Sequence, residues 1–368
     1  MDKTTLSHYG WICIVIFILT VYIAIATPFG VFVTDSAKYM LQGLFDTKKT
    51  SMDAADIEII ENEFDDSWNG QWDENTPVQE DIFETSVAYA LILDNGMGAD
   101  TVPLVFTRSK TEIKVGDKYN STTYGERTVV ASFTGFEDIE YSYGNGGKTT
   151  APWSTYATNI TSVQVEQPIR PISMTGWFAW LERANILNLA KIDTSRCTSL
   201  RCTFYKCGYD PSVSSFNITG LDTWDTSNVV NMVGTFSASG HSSARYTIEG
   251  LNKWDTSSVQ DFEAFFASAG YNSKNWEMDL TGFSFASAKS ISQMFAHAGR
   301  FCTQKIVIKG LDTWDVSNVQ NMMGVFYMMG TNIDFTIDIS MWNPASVTNK
   351  TRIIEGIGGT ILLPDKLK

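Results

Sequence analysis

Histidine and cysteine are scarce in this 368-residue chain, with three of the first and five of the second. His8, His241 and His297 lie in unrelated contexts, which argues against a His-centred active site. Cys13 sits in an apolar run, while Cys197, Cys202 and Cys207 recur in steps of five. Those steps drift round a helix and match no zinc spacing, so the three read as buried free thiols. Basic residues are absent between Lys49 and Arg108, a stretch that carries 14 Asp and Glu. The whole net charge of −14 resides there, and the rest of the chain is electrically balanced. A pI near 4.7 argues against nucleic acid as a partner. No nucleophile–base pair, metal cluster or phosphate loop stands out. The chain therefore reads as non-enzymatic, with no catalytic, cofactor-binding or metal-binding residue and no cofactor. Neither an LPxTG-like sorting signal nor a second apolar span follows Trp342.

What the chain has is a repeat. Gly220-Leu221-Asp222-Thr223-Trp224-Asp225-Thr226-Ser227-Asn228-Val229 continues to Phe236 and closes on Gly240. It returns almost verbatim from Gly310 through Trp314 and Phe326 to Gly330, and more loosely from Gly250 through Trp254 and Phe266 to Gly270. Trp224 maps to Ile192, Trp254, Phe283, Trp314 and Trp342, and Phe236 maps to Phe266, Phe295 and Phe326. The closing glycine recurs as Gly208, Gly240, Gly270, Gly299 and Gly330. Ladders that advance together by about 30 residues mark stacked supersecondary units. A partial unit begins at Met174-Thr175-Gly176-Trp177-Phe178.

Each unit predicts a short strand, as in Tyr246–Leu251 or Lys305–Leu311, then a capping Asp-Thr-Ser-Asn, then a helix. Val229, Met232, Val233 and Phe236 fall at i, i+3, i+4 and i+7, the spacing of one helical face. The final glycine fits a left-handed helix cap. A few large apolar side chains per unit cannot offset the ordering of about 30 residues, so units must stack to fold. The Trp, Phe and Gly ladders are accordingly structural, and a core is favoured over an exposed carbohydrate platform. Asp193, Asp225, Asp255 and Asp315 read as turn residues, because the fourth unit, Phe283–Ile291, lacks the acid that a metal column would need.

Before the repeat the chain divides into blocks. Residues 1–48 hold the apolar run Trp11–Ala26, extendable to Val33, and a following amphipathic helix. About 20 apolar residues span a bilayer, so a transmembrane helix is expected, with Lys3 inside and the C-terminal part extracellular. Residues 49–84 read as an acidic spacer. Residues 85–172 carry strand patterns such as Val87–Leu93, Pro103–Phe106, Thr128–Phe133 and Ser162–Val165, and read as a β-rich module capping the repeats. The repeats occupy 173–350, and 351–368 close the far end. The expected fold is an α/β repeat solenoid of leucine-rich-repeat-like strand–helix units, preceded by the β-rich module and the transmembrane helix.

The motif Trp-Asp-Thr-Ser-Asn-Val-x-Asn-Met-x-x-x-Phe, at Trp224 and with Val for Thr at Trp314, resembles the repeat of BspA-type leucine-rich-repeat surface proteins. Phe106-Thr107-Arg108-Ser109, Val115–Asn120 and Pro168-Ile169-Arg170-Pro171 resemble the lead-in of such proteins. This resemblance implies a bacterial surface protein without known catalysis, often linked to adhesion. Tyr9-Gly10 before the apolar run, Ala24–Gly30 and the helix ending at Phe45-Asp46-Thr47 resemble Flp-type pilin subunits, although Val15 stands where pilins carry glutamate. The expected function is a single-pass, membrane-anchored extracellular module that binds a protein or glycan. The alternative is a pilin-like subunit that self-assembles through its N-terminal helices into a surface filament.

Overall fold

The computed structural model describes residues 82–96, 100–142 and 149–368, all within one compact unit. The apolar run, the amphipathic helix and nearly all of the acidic stretch lie outside them. Four strands come first: β1 (Val87–Leu93), β2 (Val102–Ser109), β3 (Lys118–Ser121) and β4 (Gly125–Phe133). β1 lies antiparallel between β2 and β4, and β3 pairs with β4. Helical residues 82–85 precede β1 and place the Phe83 ring against the guanidinium groups of Arg108 and Arg170, 4.8 and 4.1 Å from its centre. Arg108 also holds both oxygens of Glu137, at 2.9 and 3.0 Å.

From β5 (Ile160–Val165) onward every coil contributes one parallel strand: β6 (Ile186–Asn188), β7 (Ser215–Thr219), β8 (Arg245–Ile248), β9 (Asn275–Asp279), β10 (Lys305–Lys309), β11 (Thr336–Asp338) and β12 (Thr360–Leu362). β2 pairs parallel with β5, so one eight-stranded sheet runs β3-β4-β1-β2-β5-β6-β7-β8 from the leading module into the coils. The main hydrophobic core extends from Ala88 to Leu367, and a second, small cluster of Tyr89, Leu91, Leu93, Val105 and Val129 forms on β1, β2 and β4.

The strand–helix unit is corrected. Among the described residues no α-helix follows the strands. A strand, a short 3-10 turn in three of the coils and a run of linked turns make each coil, and the fold is mostly β. In the run after Val229, Met232, Gly234, Phe236 and Ala238 donate their N–H groups to the carbonyls of Asp261, Glu263, Phe265 and Ala267 in the next coil, at 2.7–3.0 Å. The residues between them, Thr235, Ser237 and Ser239, bond the carbonyl three back. A helix would consume all these groups internally, whereas the turn run shares half of them with its neighbour. Each net bond contributes roughly 0.5–1.5 kcal/mol. Positive φ at Gly234, Ala238 and Gly240 reverses the backbone hand and stops any helix from propagating. Of the expected stripe Val229, Met232 and Phe236 are buried, because turns of three residues also bring every third or fourth side chain inward, whereas Val233 is only half-buried.

The single-pass membrane placement is corrected as well. No helix among the described residues is long and apolar enough to cross a membrane, and the run at 11–33 that suggested one lies outside them.

Candidate functional site

The repeat residues form two columns of rings inside the stack. Trp224, Trp254, Phe283, Trp314 and Trp342 lie face to face, with successive centres 5.8, 6.5, 6.5 and 5.7 Å apart and planes within 17°. Phe236, Phe266, Phe295 and Phe326 form the second column at 5.4, 5.9 and 5.5 Å. None of the nine is more than 4 % exposed, so no ring face is open to a sugar. Gly208, Gly240, Gly270, Gly299 and Gly330 close the turn runs with φ between +50 and +67°. At Gly240 a Cβ would stand 2.5 Å from the Tyr246 ring, so the neighbouring coil as well as the backbone selects glycine.

The indole N–H groups of Trp224, Trp254 and Trp342 donate to the carbonyls of Leu189, Leu221 and Leu311, while that of Trp314 has no partner. Trp342→Phe is therefore expected to destabilise by about 1–2 kcal/mol more than Trp314→Phe. Urea denaturation of the two variants measures the difference, and equal losses would assign the indole bonds no net stabilising role.

The repeated acids act as turn residues. Asp193, Asp225, Asp255 and Asp315 each accept the N–H two residues on, at 2.9–3.0 Å. Their backbones tie coils together: the hydroxyls of Thr194, Thr226 and Thr256 donate to the carbonyls of Asp225, Asp255 and Ser284. Among the described residues no group of three or more His, Cys, Asp or Glu is placed to hold a metal. Cys197, Cys202, Cys207 and Cys302 are unpaired and buried. Burial pushes the thiols of Cys197 and Cys202 up to about 12 and about 11, which leaves them protonated and poorly nucleophilic.

A second column, opposite in role to the strands, consists of single bridges Ser199–Asn231–Asp261–Ser290–Asn321–Asn349. Asn231, Asp261, Asn321 and Asn349 each accept the N–H two residues on. Burial raises the Asp261 carboxyl above its ordinary value, more than the bond from the Glu263 N–H lowers it. A raised native value means that the folded state binds more protons, so stability falls as pH rises from the ordinary Asp range through the raised one. Asp261→Asn matches its neighbours and is expected to raise the melting temperature at pH 7 but not at pH 3. Thermal melts across pH 3–8 test this, and a variant no more stable at pH 7 would sink it.

Two other polar features serve cohesion. Glu166 is buried, and it accepts bonds from Tyr119, Ser121 and the Thr123 N–H, which pins the β3–β4 hairpin against β5. Tyr209, His241 and Tyr271 stack in consecutive coils with centres 4.4 Å apart, so they cover one another's faces.

The feature suited to binding is a break in the strand ladder. β8 pairs with β7, and β9 pairs with β10, but β8 and β9 belong to separate sheets; β10 and β11 are likewise in separate sheets, and the groove lies at the first of these two breaks. One bond, from the Lys274 N–H to the Ala244 carbonyl at 2.9 Å, links the two strands at their start. At their far end the coils close again, since a Cβ on Gly282 would lie 2.5 Å from the Asn252 carbonyl oxygen. Beneath the break two of the bulkiest inward side chains meet: Gly270 faces both Tyr246 and Trp276. A groove of about 910 Å³ lies across β7–β10, within the range of small-ligand clefts. Strand alternation presents Arg245, Thr247 and Glu249 on one side and Asn275, Glu277 and Asp279 on the other. Lys305 pairs with Glu277 at 2.9 Å and Lys309 with Asp279 at 3.9 Å. Arg245, Lys274 and Glu249, also on the groove, form no ion pair among the described residues. Sequence reasoning missed this site: the residue patterns of β8 and β9 give no sign of the missing bonds.

A family model described as "Mycoplasma protein of unknown function, DUF285" matches residues 172–306 and 301–357, which together take in every coil from the first turn run to the last. No curated protein and no solved structure matches the chain.

Proposed function

The chain belongs to the DUF285 family, and we propose that it is a surface-associated binding protein whose coil stack presents the β8–β9 groove to an extracellular ligand. The observation that carries this reading is the interrupted ladder. Among the described residues no ladder joins β8 to β9, and the two strand edges line an open, polar concavity. Backbone groups left unpaired on such edges require water or a ligand. Family membership and the resemblance of the Trp224 and Trp314 motifs to BspA-type surface repeats support association with the surface. The filament-subunit alternative rested on residues 1–45, outside the described residues, and no observation favours it.

The test compares the full chain with Thr247→Trp, which fills the groove from its rim, on arrays of glycans and extracellular-matrix proteins. At least one binder lost in the variant, with the melting temperature unchanged, is expected. An identical binding profile for both proteins would remove the groove from the function.

A further inference from the structure

We infer that the β8–β9 groove takes an acidic saccharide, a terminal sugar whose carboxylate meets Arg245 and Lys274 while its hydroxyls bond the open strand edges. This rests on the groove being the binding site. Three observations select the ligand class. First, the gap is pinned at both ends, by the Lys274–Ala244 bond and by the close approach of Gly282 to Asn252. An extended peptide cannot add itself as a strand running through, since each added strand needs about 4.8 Å on either side along its whole length. The occupant must enter from the front and be short. Second, what it meets there is a mixture of donors and acceptors from two strand edges. A hydroxyl both gives and accepts a bond, so adjacent hydroxyls on a sugar ring suit such an edge without demanding one register. Third, the unpaired charges are separated. Arg245 and Lys274 stand at the start of β8 and β9, and Glu249 lies just past the end of β8. The two cations together suit one carboxylate, with Arg245 offering a planar fork. Glu249, at the other end, accepts from hydroxyls.

Charge elsewhere does not oppose this. The negative excess of the chain falls between Lys49 and Arg108, and the remainder is balanced. The apolar alternative, a hydrophobic peptide or lipid chain, would need an apolar rim, yet the side chains that face outward on β8 and β9 are Arg245, Thr247, Asn275, Glu277 and Asp279.

The experiment measures binding of the full chain to oligosaccharides ending in glucuronic acid or N-acetylneuraminic acid, and to analogues in which the carboxylate is reduced to the alcohol. The proteins are the wild type, the Arg245→Gln/Lys274→Gln double variant and Thr247→Trp. The expected result is binding of an acidic oligosaccharide that weakens at least tenfold on reduction of the carboxylate, at least tenfold in the double variant, and disappears in Thr247→Trp. Circular dichroism should be unchanged in all three proteins. No binding of either acidic series, or equal binding of acid and alcohol, overturns the inference. Binding that is lost in Thr247→Trp but indifferent to Arg245 and Lys274 overturns the acidic ligand and keeps the groove. Binding indifferent to every substitution overturns both.

Discussion

Trp254→Ala is expected to be the most damaging single truncation in the stack, costing about 3–5 kcal/mol. The indole is 1 % exposed. It stacks between Trp224 at 5.8 Å and Phe283 at 6.5 Å, touches Phe236 at 6.0 Å, and meets the edge of Phe265 at 6.5 Å. Its N–H donates to the Leu221 carbonyl at 2.9 Å. Removing it opens a cavity that neighbours from three coils line, and those coils are tied by backbone bonds on every side of the hole. The void therefore collapses poorly, which places the cost at the upper part of the range. Because each coil touches only its neighbours, the loss falls on two interfaces, and the array should begin to unfold there rather than at its ends. Hydrogen exchange is the measurement: amides in the turn runs of 232–240 and 262–270 should lose protection ahead of those in β1 and β2. Uniform loss across the chain would show that the coils do not open separately.

The second large effect comes from a single methyl group. Gly250→Ala places a Cβ 2.3 Å from the Asp222 nitrogen and 2.8 Å from its Cα, backbone atoms of the preceding coil that cannot swing aside. Gly250 also has φ +92°, where an L side chain costs roughly 1–2 kcal/mol. Overpacking adds about 1–3 kcal/mol, so a loss near 4 kcal/mol is expected. Gly234→Ala is the control. Its φ is +62°, but the nearest atom to a new Cβ is the Cys202 Sγ at 3.2 Å. Cys202, Ala264 and Gln293 already occupy the same place in other coils at φ +53 to +56°. Denaturation midpoints should separate the two alanine variants by about 2–3 kcal/mol, the clash contributing most of it. A Gly250→Ala protein as stable as Gly234→Ala would mean that adjacent coils are not in this contact.

The contrast between those glycines also marks how much the sequence discloses. The spacing of Trp224, Trp254, Phe283, Trp314 and Trp342 was legible as a register, because a stack that buries its ladder must repeat ring for ring. Strand positions near Tyr246 and Ile306 were legible from β-branched and aromatic alternation. The nature of the segment after Val229 was not. Val229, Met232 and Phe236 satisfy a helix and a chain of turns equally, since both bring residues inward at steps of three or four. What decides between them is the left-handed backbone at Ala238, Ser268 and Met328, none of which is glycine, so composition gives no warning. The groove was illegible for a different reason. It consists of bonds not made between two strands whose side-chain patterns look like those of their paired neighbours.

The hand-over of bonds from coil to coil also bears on the length of the stack. In the turn runs each coil receives from its predecessor what it gives to its successor, and the residues that do this recur about every 30 positions. Excising residues 280–309 would join Asp279 to Gly310 and so rebuild the strand-to-Gly-Leu junction that Thr219, Gly220 and Leu221 already make. Trp314 would then stand over Trp254, with the Leu251 carbonyl placed for its indole N–H as Leu221 serves Trp254. The leading module and the last coil would be untouched. Loss of one whole coil would thus keep the register of the ring columns on either side of the junction. The length of the stack is in this sense a modular quantity, set by the number of coils rather than by any one of them.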